Sequence, residues 1–139
     1  MKIRNEKTIG FFSVFLLFWK KISIQEEILI ARIWHGVTKA CDSDAFLGYI
    51  RQTGEKAYRE TEGNTAVLIL RRAENDTADF LLISLWNSLD AVKNFAGDDY
   101  EKAVYLFPGD EKYLIELEPN VAHYEAILNP DLQGLCNLK

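Results

Sequence analysis

Three stretches of this chain are apolar at nearly every position, and that restricts what it can fold into. They are Ile28-Leu-Ile-Ala-Arg-Ile-Trp34, Thr65-Ala-Val-Leu-Ile-Leu-Arg-Arg72 and Asp79-Phe-Leu-Leu-Ile-Ser-Leu-Trp86. All are short and rich in strand formers. Successive side chains of a strand point to opposite faces, so a sheet with one wet face alternates apolar and polar residues. These strands carry apolar residues on both parities, and the sheet they form must be covered on both sides. Helices supply one cover. A second copy of the same sheet is the simplest supplier of the other.

The segments between them supply the helices. Asp42 or Ser43 can cap a helix in which Phe46, Tyr49, Ile50, Thr53 and Ala57 recur at helical spacing, running to about Glu60 with Gly54 as a weak point. Gly63-Asn64 stops it, and the polar stretch Glu74 to Thr77 reads as a hairpin loop between the second and third strands. Asn87-Ser88 signals a second helix from Leu89 to Phe95, broken at Gly97, with a further helical turn from Asp98-Asp99 through Val104. Phe107 to Asp110 is a turn, and Lys112 to Glu118 a short strand or irregular arm. Val121 to Leu128 is the last strand, closed by Asn129-Pro130. The order β-α-β-β-α-β, with the Lys112 to Glu118 arm as an optional strand before the last, predicts an α+β, ferredoxin-like split βαβ domain with an antiparallel sheet and helices on one face.

A chain of 139 residues fits one such domain, expected over residues 28–128 and followed by a surface tail, 129–139. Residues 1–27 read as an apolar N-terminal extension, peripheral or dispensable. Its run Gly10 to Trp19 follows Lys2, Arg4 and Lys7 as in a secretory leader, but Lys20-Lys21 come next and no small-residue cleavage site does. The run is also shorter than the roughly 20 apolar residues that span a bilayer, so residues 10–19 offer at most a peripheral membrane contact or a helix for a partner. A net charge of -5 without a long basic run argues against nucleic acid. Cys41 and Cys136 are far apart with no neighbouring His, which suits free thiols of a reducing, cytoplasmic compartment better than a metal site or a disulfide. Cys41, just before a helix start, is the alternative as a nucleophile, though no activating base stands nearby.

Ile30 to Gly36, Leu82 to Ser88 and Glu118-Pro-Asn-Val-Ala-His-Tyr-Glu125, taken with the element order, resemble the antibiotic biosynthesis monooxygenase superfamily. The resemblance spans about Ile28 to Leu128. It implies a homodimer in which two sheets pack into an α/β barrel, with a pocket between sheet and helices in each subunit. Some members are cofactor-independent monooxygenases acting on polycyclic phenols or quinols, and others degrade haem. Trp86 ends the third strand as in the haem-degrading branch. That branch also uses an Asn on its first strand and a His on the following helix, and neither is present here. The resemblance therefore implies no haem ligand, and neither a cofactor nor a metal is expected.

The expected activity is oxidation of a small phenol- or quinol-type aromatic by O₂. The alternative is a non-catalytic homodimer of the same fold that binds a small molecule. No phosphate loop, dinucleotide fingerprint or nucleophile elbow is present. The candidate catalytic residues are His35 and His123, either of which also reads as a structural strand histidine. Trp34 and Trp86 are candidate walls for a flat ligand, or else core packing. Tyr49 and Tyr124 are candidate substrate contacts, and Tyr100 and Tyr105 share their chemistry. Arg32 interrupts an apolar strand, and its charge calls for a partner: Glu125 at a dimer seam, or a substrate.

Overall fold

The computed structural model describes residues 28–132; the apolar run from Gly10 to Trp19 and Cys136 lie outside them. Four strands form one antiparallel sheet: β1 (Ile28–Lys39), β2 (Asn64–Glu74), β3 (Thr77–Trp86) and β4 (Ala122–Ile127), in the order β2-β3-β1-β4. This is the ferredoxin-like arrangement. β1 runs beyond Gly36 because its far half pairs with β3 down to Lys39↔Thr77. Four α-helices and a 3-10 turn (Ala40–Asp42) complete the described chain: α1 (Ser43–Gln52), α2 (Gly54–Glu60), α3 (Leu89–Ala96) and the single turn α4 (Asp110–Tyr113). None of them is long and apolar enough to cross a membrane.

The register sorts the strand side chains between two faces. Trp34 pairs with Leu82, and Arg32 pairs with both Ser84 and His123, which puts these residues on the helix-covered face. There Phe46 and Ile50 of α1, Tyr58 of α2 and Val92 of α3 pack on Phe80, Leu82 and Trp86 to form the main core. Leu29, Ala31, Ile33, His35, Leu68, Leu70, Leu81, Ile83, Leu85 and Tyr124 belong to the opposite face. Part of that face is buried around Leu29, Ala31 and Leu85, while Leu68 and Leu70 are each 46% exposed.

Two expectations from the sequence are corrected. The helix from residue 43 to 60 is in fact two, because the backbone of Thr53 leaves the helical region at φ -116°, ψ -89°. The Thr53 hydroxyl donates back to the Tyr49 carbonyl at 2.8 Å, the local competition that makes threonine a poor helix interior. The helical turn expected from Asp98 to Val104 shrinks to a single hydrogen-bonded turn, closed by Lys102 N–H on the Asp99 carbonyl at 2.9 Å. Its backbone is engaged elsewhere: Ala103 N–H donates to the Pro119 carbonyl at 2.9 Å, and the Tyr100 and Lys102 carbonyls accept from Arg32. By contrast, Ser88 caps α3 as expected, accepting from Ala91 N–H at 3.1 Å.

Candidate functional site

Arg32 organises the space between sheet and helices. Its side chain is fully buried, and among the described residues it forms no ion pair. One terminal nitrogen donates to the Tyr100 carbonyl and stands 3.2 Å from Nε2 of His123; the other donates to the Lys102 carbonyl at 2.9 Å. Its Nε has no hydrogen-bond partner, and its guanidinium carbon lies 5.9 Å from the Phe95 ring centre. Within the described residues Arg32 makes no ion pair with Glu125; both lie on the helix-covered face, but Glu125 is opposite Ile30 and the guanidinium is held by the Tyr100 and Lys102 carbonyls.

Two spaces are walled by residues that Arg32 touches, Phe95 for one and Tyr100 and His123 for the other. One is a cavity of about 40 Å³ beneath the helices, walled by Trp34, Tyr58, Leu82, Phe95 and Tyr105. The other is a more open cleft of about 460 Å³ at the β4 edge, lined by Ile30, Tyr100, Glu101, His123, Tyr124 and Glu125. Trp34 can lie along its strand because Gly36, two residues on and on the same face, has no Cβ; one built there would fall inside the indole. The Tyr105 hydroxyl donates to the Glu118 carbonyl at 2.7 Å, and burial raises its pKa. Burial also raises the pKa of Tyr58, with the Arg32 charge and a hydrogen bond from Arg32 acting in opposition.

The two histidines occupy opposite faces of the sheet. His123 stands on the helix side. Since a guanidinium only donates, Nε2 of His123 must accept, which leaves its proton on Nδ1. Burial and then the Arg32 charge lower its pKa, against a smaller opposing effect of Glu101. His35 lies on the far face between two carboxylates, with Nδ1 2.5 Å from Glu118 and Nε2 3.1 Å from Asp79. Burial lowers the pKa of His35, but the hydrogen bonds and charges of Glu118 and Asp79 outweigh it and leave the value raised. Asp79 in turn is held down chiefly by His35, helped by Arg72 at 3.6 Å. These carboxylates flank the ring on opposite sides rather than converging on one point. No metal-binding group of three His, Cys, Asp or Glu is found among the described residues.

The remaining candidates are dispersed. Trp34 walls the cavity. Trp86 is fully buried behind Tyr58 and Phe95, and its indole N–H donates to the Ser84 hydroxyl at 2.9 Å. Tyr49 donates to Asp110 at 3.0 Å, and burial, with that bond, pushes its pKa up to about 12. Tyr124 is exposed beside the cleft, and Cys41 is an exposed free thiol. Sequence reasoning missed Tyr58 and Phe95. Tyr58 was legible: Phe46, Ile50, Gly54 and Tyr58 recur every four residues and form one stripe.

No protein-family model and no curated protein matches the sequence. Solved structures do match the fold. A putative antibiotic biosynthesis monooxygenase from Nitrosomonas europaea is similar at a TM-score of 0.50 and 20% identity, over 77% of this chain and 96% of that one. A putative protein of the same description from Bacillus cereus is similar at 0.50 and 17% identity, over 74% and 96%. The chain therefore has the ferredoxin-like α+β fold of these monooxygenase-like proteins.

Proposed function

We propose that this protein is a homodimer that binds a small phenol- or quinol-type aromatic between its sheet and helices and oxidises it with O₂, without a cofactor. The observation that carries this reading is the ring of aromatic walls, Trp34, Tyr58, Phe95 and Tyr105, around a cavity on the covered face of the sheet. Flat apolar faces with a few polar edges suit a flat, partly polar guest. At about 40 Å³ the cavity is water-sized, so a ring enters only as the exposed Leu106 and the adjoining Phe107 swing outward.

The chemistry needs little from the protein. An ionised phenol with an activated methylene loses a C–H proton, and the resulting carbanion passes one electron to O₂. The radical pair joins as a C–O bond, giving a hydroperoxide. Loss of water then leaves a carbonyl, so one oxygen atom is retained, the other leaves as water, and the four electrons lost by carbon are those gained by O₂. A dry pocket and a donor to the developing oxyanion favour these steps. His123 is the histidine on the helix side; it lines the β4-edge cleft and touches Arg32 rather than the aromatic cavity. His35, pinned between carboxylates on the other face, acts on this site only by holding Glu118, whose carbonyl receives Tyr105.

Oxygen uptake with anthrone- and quinol-type compounds tests the reading; it should fall at least tenfold in Trp34→Ala, which removes a wall of the cavity. Thermal stabilisation by the same compounds without oxygen uptake would establish the second reading, a binding homodimer that performs no oxidation. That reading is favoured by Nε2 of His123 being occupied by Arg32, which leaves no free imidazole base on the helix side.

A further inference from the structure

We infer that the homodimer carries its own pH switch: the proton on His35, on the sheet face that a second copy covers, tightens the pairing of two protomers, and its loss in mild alkali loosens it. The switch rests on the homodimer proposed above and adds what regulates it. The register puts His35 into the apolar patch. His35 stands opposite Leu81 of β3, and Leu81 opposite Leu70 of β2, so the three side chains form one row across the open face. The next row is Ile33, Ile83 and Leu68. His35 also lines, with Leu70, Leu81, Asp79 and Arg72, a hollow of about 350 Å³ whose remaining wall, Arg71, is paired with Asp44 at 2.6 Å. A twin set against Leu68 and Leu70 therefore closes over the imidazole.

What the imidazole meets decides the sign. The Glu118 carboxylate reaches Nδ1 from the arm that returns along β1, and the Asp79 carboxylate reaches Nε2 from β3. Arg72 of β2 stands behind Asp79 at 3.6 Å and shares its charge with Glu74 at 3.8 Å. β1 itself contributes Lys39 to this face, roughly 13 Å farther along the strand. The imidazolium donates to both carboxylates. A neutral ring carries one N–H, so one carboxylate then faces a bare nitrogen lone pair. All three side chains still reach water in the protomer, which screens that mismatch. A covering twin removes the water, and a twofold axis sets the surplus negative charge of each copy on one interface. The protonated form therefore pairs better, and by linkage the dimer holds the proton more tightly than the protomer does. The protomer's own His35 pKa, lowered by burial but raised overall by the two carboxylates, sets where the change begins.

Sedimentation equilibrium of the full chain from pH 6 to pH 9 tests the switch. The dimer dissociation constant is expected to be lowest at pH 6 and to rise about tenfold or more by pH 9. Two protons per dimer limit the rise to roughly a hundredfold per pH unit. His35→Asn should flatten the profile. Asp79→Asn should reduce the rise, because a neutral ring then satisfies its one remaining carboxylate, and this variant decides the matter if His35→Asn fails to fold. A wild-type profile that is flat or falls, or a slope that survives in these variants, would overturn the switch and leave the homodimer standing. A wild-type monomer at every pH would take both down. Pairing that follows the expected profile without oxygen uptake or binding of any quinol-type compound would strike the aromatic reading and leave the switch.

Discussion

His35 shows how one side chain can tie two parts of the molecule together. With a carboxylate on each ring nitrogen, both N–H groups donate only when the ring is the imidazolium. Its pKa is raised above the ordinary 6.5. A raised folded-state value means that the folded protein holds the proton more tightly than the unfolded chain. The stabilisation is therefore complete below about pH 6.5 and is lost as pH rises through the raised value. His35→Asn should lower the melting temperature at pH 6, and the gap to wild type should narrow steadily towards pH 9. A gap independent of pH would show that packing, not charge, holds the ring. Gly36, next in the chain, makes a purely steric prediction. Gly36→Ala would place a methyl group in the Trp34 indole, which also has Leu114 close by, and should cost about 1–3 kcal/mol in urea unfolding together with a shift in tryptophan fluorescence. Unchanged stability and emission would mean that Trp34 is free to leave the cavity wall. Neither residue's role could be read from the sequence. Asp79 reaches His35 through the β1–β3 register, which sets it opposite Val37, and Glu118 reaches it only because an excursion after α3 returns along β1, with Ile115 N–H donating to the Val37 carbonyl at 2.8 Å.

Elements were more legible than contacts, because strand and helix periods are local properties. The three doubly apolar strands and the Ser88 cap are features of neighbouring residues, and all four are where the sequence placed them. Ser88→Ala should destabilise the domain by about 1 kcal/mol, seen as a lower urea midpoint with an unchanged slope, since one N-terminal donor of α3 loses its acceptor. A changed slope would mean that α3 detaches from the sheet rather than merely fraying. The segment from Asp98 to Val104 failed as a helix for a reason outside its own residues. The Tyr100 and Lys102 carbonyls are taken by Arg32, roughly 70 positions away in the chain, and no local pattern records that capture. The same long-range geometry turned Arg32 inwards. Its place in an apolar strand announced a buried charge, but which face it took depended on β1 pairing with both β3 and β4.

At the scale of the whole molecule, the sheet's second face decides the assembly. The described helices cover one side of the sheet; on the other, Leu68 and Leu70 of the edge strand are each 46% exposed and Tyr124 of the opposite edge is 60% exposed. Apolar side chains aligned across a flat sheet face are what a symmetric pair of sheets buries, since a twofold axis sets the same patch against itself. Covering the exposed half of one leucine contributes about 1 kcal/mol. Leu68 and Leu70 from two protomers make four such contributions, roughly 4 kcal/mol or about a thousandfold in the dimer dissociation constant. Sedimentation equilibrium of the wild-type chain should therefore show a dimer at micromolar concentration. Leu68→Glu with Leu70→Glu should give a monomer whose circular dichroism is unchanged, because neither side chain belongs to the helix-side core. A wild-type monomer, or a doubly substituted chain that still pairs, would mean that this face is covered by something other than a twin. The cavity walls lie on the other side of the sheet, so the monomeric variant should still be stabilised thermally by the same quinol-type compounds as the wild type, separating the assembly from the site.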